Sequence, residues 1–201
     1  MFYYFSRMAP TGYSVSVDLD VTILRETAKK EGINFFPCYL YLSTLICNRY
    51  QEFRIAYKDD ILGYWDTLTP MYALFHPDDT TISLIWTSFD ASFTKFYKNY
   101  LQDTERYAGV HGVLGKPDPP VNSYTVSTLP WVSFKSFSLQ TQNPTYFFPS
   151  IEAGKYYKKD GKLLMPLSMT VSHATTDGYH IAKFLEEFQQ EADNPKHWMF
   201  C

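Results

Sequence analysis

Residues 169–180 read MTVSHATTDGYH, and the fold turns on how this stretch is parsed. Just upstream, Leu163, Met165, Leu167, Met169 and Val171 fall on every second position, the period of a strand with one apolar face. His173 continues that phase. Downstream, TTDGYHIAKFLEEFQQE predicts a helix with Asp177 and Gly178 at its N-terminal end, and aspartate is suited to cap one. The stretch is therefore a strand, a short turn and a helix, with an imidazole at the junction. Such a histidine can be a satisfied core residue, a metal ligand or a catalytic base. An apolar setting removes solvation and favours the neutral form, and neutral imidazole is a base.

Working outward, residues 13–21 (YSVSVDLDV) alternate. Tyr13, Val15, Val17, Leu19 and Val21 share one face, as in a half-buried strand. Thr22 is expected to cap a short helix that Gly32 ends. Pro37 suits the first turn of a second helix, PCYLYLSTLICNRY, which is apolar nearly all round and so predicted to be buried. Strand-like runs follow: FRIAYK, GYWDTL, MYALFH and TISLIWTSF, with turns at Asp59–Asp60 and Pro77–Asp79. DASFTKFYKNYLQDTERYA places aromatic residues on one helical face, with Asp90 or Ser92 as cap. GVHGVLGKPDPP reads as a loop, and YTVSTLPWVSFKSFSL as a strand broken near Pro130. GKYYKKDGKLLMPL is a hairpin turning at Lys159–Asp160–Gly161. This order of elements predicts an α+β fold, a mixed sheet flanked by helices, rather than a doubly wound one.

The length, 201 residues, predicts a single domain over 1–201. Charged residues are 19% and hydrophobic residues 45%, a globular composition. Aromatic residues reach 18%, enough for a large aromatic core or for pockets that take a bulky ligand. A net charge of −3 without a basic stripe argues against nucleic acid. No apolar run approaches a membrane span, and the first residues lack the apolar segment of a signal peptide. Cys38, Cys47 and Cys201 have no CxxC spacing and are expected to be free thiols in a reducing cytoplasm. No metal site is expected, because the five histidines are scattered and only His173 and His180 are close in sequence.

SHATTDGYH resembles the HxxxDG motif of coenzyme A-dependent acyltransferases. Dihydrolipoyl acyltransferase cores, peptide synthetase condensation domains and chloramphenicol acetyltransferases all carry it. Other segments are similar to the last of these families, in the right order: FRIAYKDDILGYWDTLTPMYALFH (53–76), STLPWVSFKSF (127–137), FFPSIEAGKYY (147–157) and KLLMPLSMTVSHATTDGYHIAKF (162–184). The resemblance covers nearly the whole chain. It implies acetyl transfer from acetyl-coenzyme A to a hydroxyl of chloramphenicol, an antibiotic inactivation, in one ternary complex with no acyl-enzyme. It also implies a homotrimer whose active sites lie between subunits.

Carried over residue by residue, the resemblance makes His173 the general base and Ser127 the donor to the oxyanion. Ser172 stands where the family has a further histidine. Asp177 supports the site structurally, and an ordinary helix cap is the plainer account of it. Trp131, Lys155 and Tyr156 fall at coenzyme positions. Phe5, Tyr13, Ile82, Leu114 and Leu139 fall on the acceptor pocket, although each would serve equally as core. Three departures stand out. The chain starts near where an upstream W-x-R run would end, so Asp177 is expected to lack its arginine partner and to be left as an underpaired buried carboxylate, with Arg7 as a possible substitute. Glu152 occupies an acceptor-side position where the family has a threonine. Its carboxyl is either protonated among Phe147 and Phe148 or, the arrangement expected, paired with Lys155 or Lys158. Asn34 and Phe36 replace a lysine and a tyrosine near the coenzyme. Two other functions compete: transfer to a different hydroxyl acceptor on the same fold, and a non-catalytic trimer that binds a ligand.

Overall fold

The computed structural model describes residues 1–141, 143 and 145–200. Cys201 lies outside them. A π-helical turn, Tyr4–Met8, precedes β1 (Gly12–Asp20). Helix α1 (Thr22–Lys30) follows. Its N-cap is not Thr22 but Val21, and the Oδ1 of Asp20, one residue before, accepts from the Thr22 N–H at 3.1 Å and from its hydroxyl at 2.6 Å. Gly32 ends this helix at φ +68°, and the Ile33 N–H closes onto the Ala28 carbonyl at 2.8 Å. Helix α2 (Phe35–Cys47) is buried along most of its length, with Pro37 in its first turn.

The short strands β2 (Ile55–Lys58) and β3 (Ile61–Tyr64) form a separate hairpin. Asp59 and Asp60 both have positive φ, 50° and 62°, the geometry that a two-residue turn requires. This tight turn starts β3 two residues before the strand expected from Gly63. Next come β4 (Thr69–His76), β5 (Thr81–Trp86) and α3 (Phe93–Tyr107). Strand β6 (Ser123–Leu129) stops before Pro130, and among the described residues the next strand is β7 (Ser150–Gly154). β8 (Tyr157–Lys159) and β9 (Lys162–Ser172) form the expected hairpin, with Asp160 and Gly161 at positive φ. The chain closes with α4 (Gly178–Asp193) and α5 (Lys196–Met199).

The main sheet runs β1-β9-β7-β6-β4-β5, with β8 on β9. The β6 pairings with β7 and β4 are parallel and the others antiparallel, so the sheet is mixed. Strand alternation gives it two unlike faces. One carries Val15, Met169, Ile151, Val126, Tyr72 and Ile85, and packs against the helices. Tyr39 of α2 ties this layer together, its hydroxyl within 3.2 Å of the Ser127 carbonyl and 3.1 Å of that of Ile151.

The other face differs in chemistry. Across β1, β9, β7 and β6 it is hydroxyl-rich: Ser16, Ser168, Glu152 and Ser127 form one row, and Ser14, Thr170, Ser150 and Thr125 the next. The chain after β6 lies over the β1–β9 part of these rows. The Ser168 hydroxyl donates to the Phe137 carbonyl at 2.6 Å, and Ser14 bonds to Ser138 at 2.8 Å. On β4 and β5 the same face turns apolar, with Phe75 and Ile82 exposed.

Candidate active site

His173 sits one residue beyond β9, where its N–H donates to the Thr11 carbonyl at 2.8 Å. The Phe5 ring stacks on the imidazole at 4.2 Å between centroids, and Tyr13 meets it edge-on at 5.1 Å. Nδ1 lies 3.2 Å from the carbonyl oxygen of Thr176. A carbonyl only accepts, so Nδ1 carries the proton and Nε2 keeps its lone pair. The turn read from the sequence thus does two things. It ends the strand, and it bends Thr176 back to select the tautomer that can act as a base.

Asp177 caps α4. Its Oδ1 accepts from the Tyr179 N–H at 3.0 Å and the His180 N–H at 3.4 Å, and lies 2.9 Å from the His180 ring. These bonds and the neighbouring imidazole hold its carboxyl below the usual range, against the opposing effect of partial burial. The side chain is half exposed. The expected underpaired buried carboxylate is therefore corrected: backbone N–H groups and His180 partner it, and among the described residues no arginine lies within ion-pair reach of it. Arg7 instead lies over the Tyr57 ring.

Ser127 is far from His173 within one chain. Its strand partner is Glu152, whose partner in turn is Ser168. From Ser168 to His173 is roughly 16 Å along β9, and β6 lies two strand spacings, about 10 Å, to the side. Hence one chain cannot bring Nε2 of His173 and the Ser127 hydroxyl to one reacting atom.

Glu152 is fully buried. Its Oε1 accepts from the Ser150 hydroxyl, and Oε2 has no hydrogen-bond partner among the described residues. Burial pushes its carboxyl up to about 7, with the Ser150 bond a smaller opposing effect. The expected pairing with Lys155 or Lys158 does not form. Both lysines are exposed, because residues 155 and 158 lie beyond the covered part of the sheet.

The coenzyme candidates gather at one end of the sheet. The Lys155 N–H donates to the Val132 carbonyl at 2.8 Å, fastening the chain after β6 to the end of β7. Gly154 permits this, since a Cβ there would lie 3.0 Å from the Phe134 ring. Trp131 is exposed and meets Phe75 edge-on, while Tyr156 packs against Phe35. Asn34 precedes Phe35, and Phe36 turns inward onto Tyr39, Tyr72 and Tyr100.

The acceptor candidates divide into two groups. Phe5 and Leu139 line a cleft of about 570 Å³ together with Thr11, Thr125, Tyr146 and Thr170, next to Ser172, and Tyr13 stands beside His173. Ile82 and Leu114 lie at the opposite edge of the sheet, on the apolar part of its uncovered face.

Cys38 and Cys47 are buried thiols outside any disulfide, and burial raises the pKa of both. Sequence spacing did not reveal a cluster of His76, Asp78 and His111, because His76 ends β4 and His111 lies in the loop after α3. Among the described residues no helix is long and apolar enough to cross a membrane.

The family model for chloramphenicol acetyltransferase matches residues 1–189. A chloramphenicol acetyltransferase of Clostridium perfringens is 40% identical over 189 residues, spanning 93% of this chain and 86% of that protein. One of Staphylococcus aureus is 37% identical over 191 residues, 94% of this chain and 88% of that protein. Among solved structures, a chloramphenicol acetyltransferase superposes with a TM-score of 0.77 at 21% identity, covering 89% of this chain and 87% of that one. The mixed sheet with helices is the fold of these acyltransferases.

Proposed function

The chain belongs to the chloramphenicol acetyltransferase family, and from that premise we propose that it transfers acetyl from acetyl-coenzyme A to a hydroxyl of chloramphenicol, at sites formed between the subunits of a homotrimer. The whole chain serves as one catalytic domain, and its buried free thiols suit a reducing cytoplasm. The observation that carries the proposal is the Nδ1 bond of His173 to the Thr176 carbonyl, which leaves Nε2 free to act as a base.

Nε2 takes the proton of the acceptor hydroxyl as that oxygen attacks the thioester carbonyl carbon. The carbonyl oxygen becomes an oxyanion, and the Ser127 hydroxyl of a second copy donates to it. Collapse of the tetrahedral intermediate breaks the carbon–sulfur bond. The departing coenzyme thiolate then recovers the proton from the imidazolium. Phe5 and Tyr13 hold the imidazole in place between two rings. Trp131, Lys155 and Tyr156 bind the coenzyme. Ile82 and Leu114 line the acceptor pocket from the copy that supplies Ser127, and Phe5, Tyr13 and Leu139 line it from the copy that supplies His173. Asp177 acts on the site by holding the start of α4.

Thiol release from acetyl-coenzyme A, measured with and without chloramphenicol, tests this reading. His173→Ala should lower kcat by on the order of 10²–10⁴-fold while leaving the fold intact. Turnover within a few-fold of the parent would remove His173 from the base role. Glu152, a buried acid in the same row as Ser127, favours a second reading, a hydroxyl acceptor other than chloramphenicol. Thiol release with other alcohols and none with chloramphenicol would select it.

A further inference from the structure

We propose that His76, Asp78 and His111 form a site for a divalent transition-metal ion of the zinc class. His76 ends β4, Asp78 lies in the turn to β5, and His111 comes from the loop after α3. One ligand atom from each lies within 4.8 Å of the others. The two imidazoles stack at 4.2 Å between centroids with 25° between planes, which places the rings side by side.

What distinguishes this cluster from a chance meeting of polar groups is the second layer. A histidine that binds a metal through one ring nitrogen usually has the other nitrogen held by a hydrogen bond, which fixes the ring and its tautomer. Both histidines have this arrangement. Nδ1 of His111 lies 2.8 Å from Oδ2 of Asp79, while its Nε2 faces Oδ2 of Asp78 at 3.4 Å. Nε2 of His76 lies 2.8 Å from the Ser83 hydroxyl, which leaves Nδ1 as the nitrogen available to an ion. Ser83 is itself fully buried, and a Cβ on Gly115 would lie 2.6 Å from its hydroxyl oxygen. The orienting group is therefore held in place by packing.

The donors are two neutral imidazole nitrogens and one carboxylate oxygen. That set suits zinc or a neighbouring first-row ion and leaves a position for water. Calcium and magnesium, which prefer a shell of oxygen atoms, fit it poorly. The ion would close the gap between the donors to metal–ligand lengths of about 2.0–2.2 Å. It would also fasten the loop carrying Leu114 to the β4–β5 hairpin. That loop is already joined to β5 by the bonds from the Leu84 N–H to the Val113 carbonyl and from the Gly115 N–H to the Leu84 carbonyl, both 2.9 Å. The site lies at the far edge of the sheet from His173, and its metal chemistry is independent of the acetyl transfer proposed above.

The test is a titration of the tag-free, chelator-treated full chain with Co²⁺ alone, followed by its visible absorption, and with Zn²⁺ alone, followed by Tm. One equivalent of Co²⁺ per chain should produce a saturable visible band that Zn²⁺ displaces, and Zn²⁺ should raise Tm. His111→Ala and Asp78→Asn, both at exposed side chains, should keep the metal-free Tm and weaken binding by about 10-fold or more. Absence of saturable binding would overturn the site. So would binding that both variants retain at parental affinity. In either case His111 would serve only as an ion-pair partner of the two aspartates.

Discussion

At the scale of single residues, Glu152 carries the clearest pH signature. Its pKa is about 7 in the folded chain against an ordinary 4.5, because burial disfavours the charged form. A raised carboxyl stabilises the fold fully below 4.5, and that stability is lost as pH rises through about 7. The loss amounts to about 3 kcal/mol at alkaline pH. Denaturant melts should therefore show a fall in stability between pH 5 and pH 8 that is absent in Glu152→Gln. An equal slope in both proteins would mean that Glu152 has access to water or a cation in the folded state. The sequence placed Glu152 beside two lysines, and proximity along the chain suggested a pair. The strand decided otherwise, because alternate residues point to opposite faces and β7 sends Glu152 beneath the covering segment.

At the scale of elements, the junction of β9 and α4 was legible because each part is a local pattern: apolar alternation, then an acid at a helix start. The π-helical turn that puts Phe5 on His173 had no such pattern, and neither did β7, a five-residue strand containing a buried glutamate. The cap can be tested separately from the chemistry. Asp177→Ala should cost about 1 kcal/mol, a fall in Tm of roughly 2–4 °C for a chain of this size. Asp177→Asn, which keeps an accepting oxygen, should hold both Tm and kcat near the parent. If Asp177→Asn lost kcat as severely as His173→Ala, the carboxylate would have a charge-dependent role beyond capping.

At the scale of the whole molecule, the distance between His173 and Ser127 makes a specific demand on assembly. Trimers built only from His173→Ala or only from Ser127→Ala should be inactive, the latter with a loss of roughly 10²-fold or more. Mixed trimers of the two variants should regain activity, because some interfaces then pair an intact His173 with an intact Ser127. Thiol release on co-expressed variants would check this, and light scattering would check the trimer. Mixed trimers no more active than the single variants would place the whole site within one chain.

The sequence by itself determined the strand-turn-helix around His173, the α+β class, the buried second helix and, through the order of its motifs, the acyltransferase family. Each is written in residues close together along the chain, where periodicity, capping and turn chemistry act. Only the tertiary structure decided that Glu152 is buried away from its lysines and that His76 meets His111. It also decided that His173 and Ser127 stand apart in one chain. These are matters of strand register and loop packing. They depend on contacts between segments distant in sequence, and no local pattern encodes those contacts.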